Sequence, residues 1–327
     1  MIAAWMLYSV VISALVLVAA VPLERLVRAA GGATRRVWSG ALLLAALLPV
    51  AGVVLKDSAA AVELDDALVV ASPSAGVVMN GVDLLSVLDG ALLAGWALLS
   101  TLLASALVGG LVATALRARR WRAGEIDGVP VLRSRDVGPA VIGVLRHRIV
   151  VPAWTASLDE AQRSMLLRHE QEHVKAGDPT LLLLTASLVA ALPWNPLLWV
   201  MAARVRLAVE TDCDRRVLRG SERELRGYAE LLLSVGARRS RAAYGVGFSL
   251  GRPFLEQRID RMTERGTRTT RAHTVLIVLG ARGVLAAAWA VPQPVRAAKV
   301  GDTLRLYCPV DTSKVAAKVL YGLDWTS

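Results

Sequence analysis

The chain has 327 residues, 55% of them hydrophobic, and a formal net charge of +11. Its mean hydropathy of +0.49 is too high for an ordinary soluble domain, and an apolar, basic chain suits a membrane protein whose loops carry a positive-inside bias. No aromatic-rich basic stripe accompanies the arginines, which argues against direct contact with nucleic acid. Two cysteines, Cys213 and Cys308, supply neither a disulfide framework nor zinc-finger spacing.

Three apolar stretches come first, about Ile2–Pro22, Trp38–Leu55 and Gly90–Leu116. Each is near the roughly 20 residues that span a bilayer as helix. The first lacks a basic region ahead of it, with Arg25 and Arg28 following it, so it reads as a retained span rather than a cleaved signal. Arg25, Arg28, Arg35 and Arg36 separate the first two stretches, and Arg117, Arg119, Arg120 and Arg122 follow the third. The loop between the second and third is acidic, with Asp57, Glu63, Asp65, Asp66, Asp83 and Asp89. Lys and Arg mark the cytoplasmic side. The amino terminus is therefore expected outside, and residues from 117 onward inside.

A polar segment follows to about Pro179. GVPVLRS and VIGVLRHRIVVP, rich in Val and Ile and bounded by Gly and Pro, read as short strands. Ser157-Leu158-Asp159-Glu160 has capping-box form and predicts a helix from Leu158 to Gly177. Asp178-Pro179 supplies an N-cap and first-turn proline for another. Residues 180–202 are apolar enough for a span, but Pro193-Trp194-Asn195-Pro196 interrupts them, because proline disfavours helix through itself and its predecessor. Helices are expected at Leu197–Arg219 and Glu222–Gly236, the second started by Ser221-x-x-Glu224. Thr274–Pro292 is a last, barely long enough apolar run with Arg282 near its middle.

His169-Glu170-Gln171-Glu172-His173 lies on the predicted capped helix. Histidines at i and i+4 leave one helix face together and can hold one zinc. Glu170, beside them, can take a proton from the attacking water and return it to the leaving amine. Catalytic zinc usually has three protein ligands and one open position, and Glu210 is the candidate third. Asp214 shares its helix face and is placed to orient a ligating histidine. Glu172 is expected to face solvent. His147 and His273 complete the four histidines; the first reads as a surface residue and the second as interfacial. His169 and Glu210 can share a metal only on one side of the membrane, so the apolar segment at 180–202 is expected not to cross, its proline break forming a re-entrant or surface hairpin. The Val141–Pro152 stretch can offer a strand edge to an extended peptide.

These pieces together resemble the BlaR/MecR family of integral-membrane zinc peptidases. The likeness rests on GPAVIGVLRHRIVVP (Gly138–Pro152), LLRHEQEHVKAGDP (Leu166–Pro179), PWNPLLW (Pro193–Trp199) and ETDCD (Glu210–Asp214), with FLEQRIDRM (Phe254–Met262) weaker. It implies a mainly α membrane protein: three transmembrane helices in 1–116, an inserted α+β gluzincin-type peptidase domain in 117–273 facing the cytoplasm, and a last transmembrane helix at 274–292. It also implies His169, His173 and Glu210 as zinc ligands, Glu170 as base and Asp214 behind them. Well-known members carry a penicillin-binding sensor domain after the last helix. Here 293–327 is too short for a domain with its own core and contains no Ser-x-x-Lys motif, so a short extracytoplasmic tail is expected. The implied substrate is a cytosolic, repressor-like regulator or the chain itself, in a bacterial cell membrane. The alternatives are a membrane-protein quality-control peptidase of the HtpX type and a receptor or scaffold without catalysis.

Overall fold

The computed structural model describes residues 2–63, 84–135, 137–144, 146–219, 224–242, 252–264 and 271–291. The acidic loop at 64–83, the Ser221 box and the tail at 293–327 lie outside these residues, as does the side chain of His273.

Helices α1 (Ile2–Ala29), α2 (Thr34–Glu63) and α3 (Leu84–Ala118) come first. The turn after α1 is built on Gly31, whose φ of +69 is left-handed and costs glycine nothing. Strands β1 (Arg122–Ile126), β2 (Val129–Ser134), β3 (Ala140–Ile142) and β4 (Arg148–Pro152) follow. Then come α4 (Glu160–Ala176), α5 (Asp178–Ala191), α6 (Pro196–Val217), α7 (Leu225–Ala242), α8 (Arg252–Thr263) and α9 (Arg271–Ala290).

The four strands form one mixed sheet in the order β1-β2-β4-β3. β1 and β2 are an antiparallel hairpin turned by Asp127-Gly128, both at positive φ, as a two-residue type I′ turn requires. β1 was not expected from its composition, although the Asp-Gly pair was a signal for it. β2 runs parallel to β4, and β3 antiparallel to it, so the single stretch read as one strand is a two-stranded unit with β3 at the sheet edge. Val131, Ile149 and Val151 pack this sheet onto Leu167 of α4.

Two details of helix capping differ from expectation. Asp159, not Ser157, caps α4 by accepting from Gln162 N at 2.7 Å; the Ser157 hydroxyl instead donates to Trp154 O. Asp178 does not cap α5, since Gly177 occupies the cap position and no side chain satisfies it. Helix α7 also runs through Gly236 to Ala242.

Among the described residues, Ile2–Ala29 and Leu88–Ala118 are long and apolar enough to cross a membrane, or three segments are if the bent pair α4 and α5 counts as one. Thr274–Ala288 is a shorter apolar helix. α5 and α6 form a hairpin whose turn is the predicted proline break. Asn195 caps α6 by accepting from Leu197 N, and Pro196 fills its first turn.

α6 belongs to two cores. Its first half, with Leu198, Met201, Val205 and Val209, packs among Ile12, Val16, Trp38 and Leu42 of α1 and α2. Its second half, with Cys213 and Val217, packs against Leu166 of α4 and Tyr228 and Leu231 of α7. One rigid helix thereby joins the apolar bundle to the polar half of the chain.

Candidate metal centre

α4 places His169, Glu170 and His173 on the wall of a cavity of about 230 Å³. α6 brings Glu210 to the same wall, with α7 supplying Tyr228, Leu231 and Leu232, and α8 supplying Arg258. Pro139, just before β3, and Ala140 and Val141 of β3 line it as well. Glu170 and His173 are buried.

The two imidazoles meet edge to face, with centroids 4.6 Å apart and Nε2 to Nε2 at 3.1 Å. Their other nitrogens fix the tautomers. His173 Nδ1 donates to Asp178 Oδ2 at 2.8 Å. The Tyr228 hydroxyl donates to Asp214 Oδ1 at 2.7 Å, so its oxygen accepts from His169 Nδ1 at 2.8 Å. Both Nε2 atoms are then left with lone pairs aimed at each other, an arrangement that calls for a cation between them. Zinc–nitrogen bonds of about 2.1 Å in tetrahedral geometry separate two ligand nitrogens by roughly 3.4 Å, close to the observed spacing. Glu210 Oε2 lies 3.7 Å from His169 Nε2. The donor set of two neutral imidazoles and one carboxylate therefore fits a divalent metal with borderline softness.

The surrounding charges agree. Burial opposes a charge on His173, yet the hydrogen bond to Asp178 and the carboxylates of Glu210 and Glu170 outweigh it and raise its pKa. The pocket favours positive charge at this point.

His169, His173 and Cys213 also have donor atoms within 4.8 Å of one another. Geometry separates Cys213 from the pair. Its Sγ lies 3.3 Å from His169 Nδ1, on the side of the ring away from His173, and bonds to the His169 carbonyl oxygen. Burial, with Asp214 and Glu210 beside it, pushes the thiol far above its ordinary range, and only a thiolate is a good ligand.

Asp214 sits one step further back than the sequence suggested. It is 3.7 Å from His169 Nδ1, too far for a hydrogen bond, and acts on that ring through Tyr228. Its carboxylate is fully buried and accepts from Arg258 Nε at 2.9 Å and Nη2 at 2.7 Å. Burial pushes its pKa up, against the pull of Arg258. Arg258 Nη1 also reaches Glu210 Oε2 at 2.9 Å, so one guanidinium holds both carboxylates. Burial and Asp214 raise Tyr228 well above its usual range, which keeps it a proton donor.

Glu172 does not face solvent. It is half-buried, bonding Lys175 Nζ at 2.8 Å within α4 and Arg216 Nε at 2.9 Å, and the second bond ties α4 to α6. His147 is half-buried, with Nε2 3.1 Å from Thr180 Oγ1, and stands outside the cavity wall. Sequence reasoning missed Tyr228, Arg258 and the part taken by Asp178. Asp178 left a local signal, an acid five residues after His173 in a segment that also reads as a helix start, and Arg258 lies in the weakly matching FLEQRIDRM stretch, which by itself assigns it no role.

A family profile described as BlaR1 peptidase M56 matches residues 2–261. The regulatory protein BlaR1 of Bacillus licheniformis is 26% identical over 134 residues, which are 40% of this chain and 22% of that protein. The match therefore covers less than a quarter of the relative's length.

Proposed function

This chain belongs to the BlaR1 peptidase M56 family, and from that premise we propose that it is a zinc endopeptidase of the membrane with its active site on the cytoplasmic side. The observation that carries the reading is the convergence of two imidazoles from α4 and a carboxylate from α6, each held by buried partners. His169, His173 and Glu210 would hold the zinc. When bound, it supplies Lewis acidity that polarises a scissile carbonyl and lowers the pKa of water. Glu170, buried beside the pair, takes a proton from the attacking water and returns it to the leaving amine. The edge strand β3 pairs with an extended substrate by its backbone, and Leu231, Leu232 and Leu182 offer an apolar seat for one side chain. Together these parts form a gluzincin-type domain within 117–273.

In this reading α1, α2, α3 and α9 cross the bilayer, and α5–α6 dips in and returns. The hairpin turn meets the conditions for lying in lipid, where exposed backbone groups must be satisfied. Trp96 Nε1 donates to Ala191 O at 2.7 Å, Trp199 Nε1 to Pro193 O at 2.9 Å, and Asn195 Nδ2 to Ser13 Oγ at 2.9 Å. The arginines after α1 and α3 support a cytoplasmic site, since Lys and Arg favour that side. The substrate is a repressor-like cytosolic regulator or the chain itself, in signal transduction.

The test pairs metal content with proteolysis. The purified protein is expected to hold about one zinc; His169→Ala and Glu210→Ala lose it. Glu170→Ala keeps it but loses about 10²–10⁴ in rate, which proteomics of cells carrying each form would read. Unchanged zinc in both ligand variants sinks the proposal.

A further inference from the structure

Arg35 reads from sequence as one more positive-inside charge beside a membrane helix. The structure gives it a different position. The first turn of α2 is held by α6: Asp212, buried, accepts from Thr34 N at 3.2 Å, Thr34 Oγ1 at 3.0 Å and Arg35 N at 3.0 Å. A carboxylate from one helix thus satisfies the orphan amides at the start of another and complements its dipole. Arg215 of α6 adds a bond from Nη1 to Gly32 O at 2.6 Å. With its backbone so clamped, Arg35 reaches Asp178, forming an ion pair with Oδ1, while Asp178 Oδ2 accepts a hydrogen bond from His173 Nδ1. Asp178 is 1% exposed. Its other cation, Arg216, stands off at 3.6 Å.

We propose that Arg35 is a positioning residue of the metal centre: acting through Asp178 it fixes the tautomer and aim of His173, so the grip on the metal depends on where the first turn of membrane helix α2 sits. This rests on the zinc reading above and deepens it. A histidine ligand binds well when its second nitrogen donates to a fixed acceptor. A buried carboxylate is a fixed acceptor only while a cation compensates it. A one-turn slide of α2 would move Arg35 by about 5.4 Å, enough to break the pair and free Asp178 to turn from His173. The same helix that crosses the bilayer therefore carries a means of tightening or slackening the site.

The experiment uses the full chain in detergent, with Zn²⁺ affinity measured by competition with a chromophoric chelator and the Co²⁺ d–d spectrum as a report of ligand geometry. Arg35→Gln is expected to weaken Zn²⁺ by about 10-fold or more, within the range seen for lost outer partners, and to alter the Co²⁺ bands. Arg35→Lys should recover part of the loss. Arg36→Gln, which removes an exposed neighbour of equal charge, should change nothing. In an Asp178→Asn background, Arg35→Gln should have no further effect. Wild-type affinity and spectrum in folded Arg35→Gln overturn the proposal, and so does a loss that simply adds to that of Asp178→Asn. If Arg35→Gln fails to fold, Arg35→Lys is carried through the same cycle, and full affinity there, or an additive loss, overturns it equally. A wild-type chain that binds no metal refutes the zinc reading itself, an outcome distinct from the others.

Discussion

Replacing Arg258 by methionine removes the guanidinium that bridges Asp214 and Glu210. The side chain of Arg258 is 10% exposed and that of Asp214 is 0% exposed, and three nitrogen–oxygen contacts of 2.7 to 2.9 Å join the guanidinium to the two carboxylates. Removing one partner of a buried pair costs about 3–5 kcal/mol, because the charge left behind is neither hydrated nor paired. For a folding unit of about 150–250 residues, each kcal/mol lowers Tm by roughly 2–4 °C, so the expected shift is about 10 °C. The assay is a thermal scan of purified, metal-free protein at fixed scan rate. Bound metal would add its own stabilisation, and unfolding from detergent is a kinetic quantity. Adding Asp214→Asn to Arg258→Met removes one stranded charge and keeps an acceptor for the Tyr228 hydroxyl, so part of the loss should return. A shift under about 2 °C for Arg258→Met, or a further drop on adding Asp214→Asn, would refute the view that these charges are stable only as a desolvated, mutually compensated group.

Cys213→Ala should leave zinc content unchanged and cost on the order of 1 kcal/mol of packing; metal loss equal to that of His169→Ala would make Cys213 a ligand at the expense of Glu210. Topology is open to cysteine labelling in a Cys308→Ser background. Ala60→Cys is expected to react with an impermeant reagent in intact cells, and Arg120→Cys and Arg226→Cys only after lysis. The reverse pattern would place the site outside.

The features legible in the sequence are those set by neighbours along the chain. The helix carrying His169, Glu170 and His173 follows from the capping-box stretch Ser157–Glu160 ahead of it and from Gly177, which ends it at positive φ. The break at Pro193–Pro196 follows from proline's missing amide. Apolar stretches of bilayer length mark the helices from 2 and from 88 onward. Even here local signals competed: Asp159 outdid Ser157 as a cap, and Asp127-Gly128 made a hairpin whose first strand has little strand character of its own.

What tertiary structure alone decided is which polar residue serves which. Asp178 gives up its capping position because His173 and Arg35 offer its buried carboxylate charge-assisted bonds that a backbone amide does not match. Tyr228 carries no motif and Arg258 only the weak FLEQRIDRM likeness, which gave it no role; both enter the site because α7 and α8 pack near the second half of α6. Asp212 and Asp214 look alike in sequence, yet one caps α2 and the other sits behind His169. Local patterning is set by contacts one helical turn apart and so can be read along the chain. Desolvated pairing between distant segments depends on which faces the packed core brings together, and leaves no trace in sequence spacing.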